Sequence, residues 1–203
     1  MTTIVPSKTW GTSHHAWQDI ASAAQVVGAS IDVATKRAIS FDIRLGRLTA
    51  SAFTAGWPNV RIEAQAKTGT GQWTAIYAYQ MALGASISST TANGAISANA
   101  SSFVVTSATN IAIGDILFLG HTTTPANYEL VRVKSFSGTT ITPEENVVNA
   151  HDTGSVISDQ AEMLAPVLDV TAYAAVRVVL DNANSGQGIK AQVLYTTYDS
   201  DTF

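Results

Sequence analysis

The chain has 203 residues, enough for one large β domain or two small ones. Hydrophobic residues make up 46% of it and charged residues only 13%, so Ser, Thr, Asn and Gln must carry a weakly repelling surface, of the kind that packs into a large assembly. A net charge of −4, 11 scattered Lys and Arg and no Cys exclude a clustered phosphate-binding face for nucleic acid, disulfides, thiolate catalysis and cysteine zinc sites.

In chain order, residues 1–29 read as an N-terminal arm. Met1 to Trp10 lacks the apolar run of a signal peptide, and no later segment has the continuous apolar length of a membrane helix. The expectation is a protein assembled in a cytoplasm, with no membrane partner. His14-His15 and Trp17-Gln18-Asp19-Ile20 follow, with a short helix expected around Ala16 to Val26. Two readings of the arm stand side by side: it docks on a neighbouring subunit, or it is a terminal strand of its own domain.

Strand texture begins at Ser30. Ile39, Phe41, Ile43 and Leu45 alternate with Ser40, Asp42 and Arg44, which is the period-two pattern of a half-buried antiparallel strand. Val60 to Ala66 alternates again. The glycine-containing turn Lys67 to Gln72 then leads into Trp73 to Tyr79, so the two segments read as a hairpin. Gly84 to Ala100 is a run of small residues. Short strands follow at Ser102 to Val105, Ile116 to Leu119, Tyr128 to Lys134, Thr140 to Pro143 and Val156 to Ser158. The first texture returns at Val167 to Val170, Ala175 to Leu180 and Ile189 to Tyr195, the last two joined by the turn-rich loop Asp181 to Gly188.

The layout is therefore discontinuous. Residues 30–83 and 160–203 form one domain, and residues 84–159 are a small β domain inserted in it, which is tolerated where domain ends lie close together. The fold class is all-β: an antiparallel β-sandwich, jelly-roll-like, with the insertion and the arm.

The inserted segment carries a recurring pattern: Ser102-Phe103-Val104-Val105, Ile113-Gly114-Asp115, Glu129-Leu130-Val131-Arg132-Val133, Gly138-Thr139-Thr140-Ile141-Thr142 and Ala150-His151-Asp152-Thr153-Gly154. It resembles a β module of tailed-bacteriophage virion proteins, and the flanking sandwich resembles capsid decoration (cement) proteins. The resemblance covers residues 100–158 well and the rest loosely. It implies a homo-oligomer, often a trimer, seated on the major capsid protein at the outside of the shell and stabilising it by many-copy binding. A tail or fibre subunit is the alternative within the same class, and a carbohydrate-binding module the alternative of another class.

Chemistry finds little support in the residues. Adjacent His14 and His15 on an extended segment are expected to point to opposite sides, which keeps one ion from taking both. Glu144, Glu145, His151 and Asp152 are the densest acid and imidazole cluster, but they fall in one loop between Pro143 and Gly154 and read as solvated. No serine sits in a nucleophile elbow, and Gly69-Thr70-Gly71 is a lone turn rather than a cofactor fingerprint. The chain is read as having no enzymatic activity, catalytic residue, metal or cofactor. Trp73, Tyr77 and Tyr79 are expected on one strand face, as core or subunit interface. Together with Trp57, Tyr195 and Tyr198 they are the set a sugar-stacking platform would need. Trp17 in the arm, Trp57 beside Pro58 and Tyr198 in the tail ending at Phe203 are the residues assigned to partner binding.

Overall fold

A computed structural model of the chain describes residues 12–47, 53, 58–68, 71–81, 88–159, 161–182 and 186–199. In chain order its strands are β1 (Thr12–Ile20), β2 (Gln25–Val27), β3 (Ile31–Asp32), β4 (Lys36–Gly46), β5 (Asn59–Ala66), β6 (Thr74–Gln80), β7 (Ser89–Thr91), β8 (Phe103–Val104), β9 (Ile116–Leu119), β10 (Glu129–Ser137), β11 (Thr140–Pro143), β12 (Val156–Ser158), β13 (Glu162–Leu164), β14 (Val167–Asp169), β15 (Tyr173–Asp181) and β16 (Ile189–Asp199). The chain is all-β and antiparallel, and its larger part is a β-sandwich.

One sheet of the sandwich, sheet A, runs β1-β16-β4-β13, with β14 also paired to β4. The other, sheet B, runs β2-β15-β5-β6, with β3 also paired to β15. The alternation at residues 39–45 places Ile39, Phe41, Ile43 and Leu45 in the core between the sheets. They meet Val60 and Ile62 from β5, Val176 and Val178 from β15, and Val193 from β16. Burying each such side chain contributes about 1.5–3 kcal/mol. β5 and β6 form the expected hairpin, with Val60 opposite Tyr79. β15 and β16 are consecutive but lie in different sheets, so the loop between them crosses from one layer to the other. Asn182, fully buried at that crossing, donates from its side-chain amide to the carbonyls of Ile20 and Gln187 at 2.9 and 2.8 Å.

The short helix expected around Ala16 to Val26 does not form. Residues 12–20 are β1, antiparallel to β16 with Thr12 opposite Tyr195 and Ile20 opposite Ile189. Ala23 then takes a left-handed φ of 63° and donates its N–H to the Asn182 carbonyl at 2.8 Å. A residue in that conformation ends any helical run.

The segment between β6 and β13 folds on its own core of Phe103, Val105, Leu117, Leu119, Val133 and Ile141. Its sheet order is β7-β12-β9-β10-β11-β8. The ends of that order meet at the bridge between Ala92 and Val105, so the sheet curls closed. Gly138, at φ 57°, makes the tight turn of the β10–β11 hairpin. Ser88 and Asp159, at the two ends of the segment, bond each other twice: Asp159 N–H to the Ser88 carbonyl at 3.1 Å, and Ser88 N–H to the Asp159 carboxylate at 2.8 Å.

The two cores are joined by a third cluster of Trp17, Phe118, Tyr128 and Ala161. The three rings pack edge to face, with Trp17–Phe118 centroids 5.5 Å apart and Phe118–Tyr128 5.3 Å. Gly46 makes room for this contact, because a Cβ there would lie 2.5 Å from the Phe118 ring. Ser158 donates its hydroxyl to the Arg47 carbonyl across the same junction. The buried Arg47 guanidinium lies 4.4 Å over the Phe53 ring. Burial pulls its pKa down, against the nearby carboxylates of Glu162 and Asp159.

Candidate docking surface

The outer faces of the two sheets differ in chemistry. On sheet B the outward side chains of β5 and β15 include charged, paired groups, and Val27 of β2 is 47% exposed. Arg177 meets Glu63 at 2.8 Å and Arg61 meets Asp181 at 3.2 Å, while the Arg177 guanidinium covers the Trp73 ring at 4.3 Å. On sheet A, Arg44 and Asp42 pair at 2.7 Å, and beside them lies an apolar groove of about 500 Å³ lined by Ser40, Asp42, Met163, Val167, Leu194 and Tyr198.

Each element contributes to the groove for a local reason. Alternation along β16 sends Ala191 and Val193 into the core, and so turns Leu194, Thr196 and Tyr198 outward. The edge of sheet A is broken between β13 and β14 by Ala165-Pro166. Met163 and Val167, on either side of that break, stand 49% and 67% exposed. A second hollow of about 330 Å³ shares Met163 and runs to the junction, past Arg44, Gln192 and Leu130 to Val148, which is 69% exposed. The Gln192 side-chain oxygen there is buried and has no hydrogen-bond partner. The two hollows meet at Met163; the first is mainly apolar, and the second sets Leu130 and Val148 among Arg44, Glu129 and Gln192.

The residues assigned to partner binding are placed as follows. Trp17 is 7% exposed and belongs to the cluster between the two cores, so it is a structural aromatic and not an exposed anchor. Its ring is held there because β1 pairs with β16 beneath the inserted unit. Tyr198 is half-buried within β16 rather than in a free tail. It lines the groove, and its hydroxyl lies 3.3 Å from that of Ser40. Lys36 and Asp199 pair at the same end of the strand. Trp57 lies outside the described residues. Met163, Val167 and Val148 were not singled out in the sequence. Leu194, an apolar residue at an outward register next to inward Val193, is the signal that would have found the face.

The expectation that Trp73 shares a face with Tyr77 and Tyr79 is corrected. β6 carries a bulge at Ile76, because Ile62 opposes Tyr77 while Glu63 opposes Ala75. The extra residue inverts the alternation. Tyr77 and Tyr79 pack against the core, and Trp73 lies outside under Arg177. Tyr195 packs against the core from sheet A, so these aromatics form no common platform.

A bulge also changes the histidine pair. Ser13 opposes Leu194 and His15 opposes Val193, so His14 is the extra residue, and the two rings lie together with centroids 4.6 Å apart. The expected opposition of adjacent side chains fails for that reason. Gly28 faces both rings, and a Cβ there would lie 2.0 Å from His14 Nε2 and 2.7 Å from His15 Nε2. His14 Nε2 accepts the Val178 N–H at 3.2 Å. Burial, and then the neighbouring His15, push the His14 pKa from 6.5 down to about 4. Burial lowers His15 as well.

His151, 2% exposed, lies with Nδ1 2.7 Å from the Gly120 carbonyl and Nε2 2.7 Å from the Glu129 carboxylate. Both ring nitrogens thus lie within hydrogen-bond distance of an oxygen. Glu129 also accepts the N–H groups of Val148 and Asn149 at 2.9 and 3.0 Å. The pair thus fastens the loop after β11 to β9 and β10. Asp152 accepts from Thr122, and Glu144 lies 3.6 Å from Arg132. Among the described residues no three His, Cys, Asp or Glu side chains come together as a metal site.

No family model and no curated protein matches the chain. Among solved structures, the SPBc2 prophage-derived protein YomS is 10% identical with a TM-score of 0.35, over 98% of this chain and 99% of that one. Infectious bursal disease virus of the Gt strain is 11% identical with a TM-score of 0.28, over 98% of this chain and 43% of that one. The Gx strain of the same virus gives 13% and 0.25, over 96% and 41%. Similarity this distant assigns neither an activity nor a partner.

Proposed function

We propose that the chain is a virion structural protein of a tailed bacteriophage, a capsid decoration protein that binds the outside of the major capsid protein shell and stabilises it. It acts by binding, without chemistry of its own. The observation that carries the reading is the apolar strip on the outer face of sheet A, where Met163 and Val167 face solvent beside Leu194, with exposed Val148 of the inserted unit lining the adjoining hollow. A shell surface closing over that strip removes apolar area from water at about 25 cal/mol per Å². Many copies on one lattice then add their individually modest contacts. The low charge of the chain and the module resemblance over residues 100–158 point the same way.

Co-sedimentation of the purified chain with phage shells lacking it tests the reading. Saturable binding in many copies per shell is expected. Absence of binding to shells, with incorporation into tails or fibres instead, would replace it with the tail-subunit alternative.

A further inference from the structure

Sheet edges expose unpaired N–H and C=O groups and are normally blunted. In this chain the described edges are blunted in different ways. β1 is bulged at two places and has the short turn Pro125–Asn127 packed against it. The β13–β14 edge is two three-residue pieces with Pro166, which has no N–H, between them. β2 and β3 are three and two residues long. The inserted sheet closes on itself through Ala92 and Val105.

β6 differs. It is seven residues long, pairs with β5 on one side, and among the described residues has no strand on the other. It contains no Lys, Arg, Asp, Glu or Pro, and the sequence from Thr68 to Gly114 has no charged residue and no His. Its bulge lies at Ile76, which leaves Tyr77 to Gln80 as a regular run. Ala78 and Gln80 are exposed there, and Tyr77 and Tyr79 turn toward the core.

We infer that this run of β6 pairs, antiparallel and about a two-fold axis, with the same run of a second copy of the chain. Self-pairing sets Ala78 opposite Gln80 and Tyr79 opposite Tyr79 of the second copy, so that side chains of one face meet, and no charge meets its like. The other long strands of sheet B would not allow this, since β5 carries Arg61 and Glu63 and β15 carries Arg177. The small Ala78 side chain leaves the second backbone free to approach to strand spacing. The joined sheets run continuously from β2 of one copy to β2 of the other. Sheet A is the opposite layer, so its apolar strip stays free on both copies. The inference is independent of the shell-binding reading and survives its failure.

An edge that meets its own copy is closed by two chains, whereas the family resemblance implies trimers. Light scattering on the full chain separates the two. The wild type is expected at twice the 21.3 kDa chain mass. Ala78→Lys and Gln80→Lys are each expected at the mass of one chain, and Val167→Lys on sheet A at the wild-type mass. Met81 donates its N–H to the Pro58 carbonyl, so in this register Tyr77 and Tyr79 bond β5 and the N–H groups of Ala78 and Gln80 face the open edge. Hydrogen exchange on the wild type is expected to show the Ala78 and Gln80 amides protected in the assembled state, and that protection lost on dilution to monomer. A monomeric wild type, a trimer, or a dimer whose mass survives both lysine variants with native circular dichroism would overturn the inference. So would unprotected amides at Ala78 and Gln80, which decides the matter even if the variants fail to fold.

Discussion

Sheets A and B share one core, yet their outer faces have opposite character. Sheet B turns out Arg61, Glu63, Arg177 and Asp181 as interlocking pairs, with Trp73 lying flat under Arg177. Sheet A turns out Leu194, Met163 and Val167 as an apolar groove, with the Asp42–Arg44, Lys36–Asp199 and Lys190–Asp19 pairs on the same sheet. On sheet B the central charges are neutralised in place, and Val27 at the β2 edge is the large apolar side chain left exposed. The outer face of sheet A is satisfied only if something covers it. A strand pattern alone does not separate these cases, because both faces sit behind an equally regular buried alternation.

The largest expected effect probes how the sandwich holds the inserted unit against sheet A. Trp17→Ala removes the ring that Phe118 and Tyr128 pack on, and should lower stability by about 3–5 kcal/mol in chemical denaturation. Separate unfolding transitions of the two cores would accompany it. Next comes the crowded contact between β1 and sheet B. Gly28→Ala forces a Cβ into the space of both histidine rings and should cost about 1–3 kcal/mol, read from the same denaturation curves.

The same rings give a pH dependence. His14 has a folded pKa of about 4, below its ordinary 6.5. The neutral ring is therefore favoured by folding, and its contribution is fully present above pH 6.5. As pH falls from 6.5 toward 4 the unfolded chain takes up the proton first, so stability declines over that window and the loss levels off below it. His14→Gln keeps an acceptor for the Val178 N–H and should flatten this part of a plot of melting temperature against pH. An unchanged slope would contradict the assignment. The smallest effects compare the two outer faces directly. Arg177→Ala on sheet B should cost about 0.2–1 kcal/mol, as for partly exposed ion pairs. Met163→Asp on sheet A should leave stability within about 0.5 kcal/mol, because its side chain is about half exposed at a sheet edge.

Much of the fold was legible from period-two patterns and glycine turns. The segments at Ile116 to Leu119, Thr140 to Pro143 and Val156 to Ser158 coincide with β9, β11 and β12, and the β5–β6 hairpin forms around its turn. The misreadings share a physical cause. Extra residues at His14 and within Ala16-Trp17 break the alternation of β1, so its second half reads as a helix, and of the two readings of the arm the terminal strand is the one that forms. The bulge at Ile76 put Trp73 on the wrong face. Tyr198 read as tail because Tyr198 to Phe203 is polar and aspartate-rich, although β16 continues to Asp199 through its pairing with β4. The groove was missed because its apolar residues come from three strands that only the sheet brings side by side. Glu162–Leu164 is too short to announce itself as a strand.

The most direct test of the account is co-sedimentation of wild-type, Met163→Asp and Arg177→Ala chains with shells lacking this protein. Saturable binding by the wild type and Arg177→Ala, lost in Met163→Asp with its fold intact, is the predicted result. Wild-type binding by Met163→Asp would contradict it and move the docking face away from sheet A.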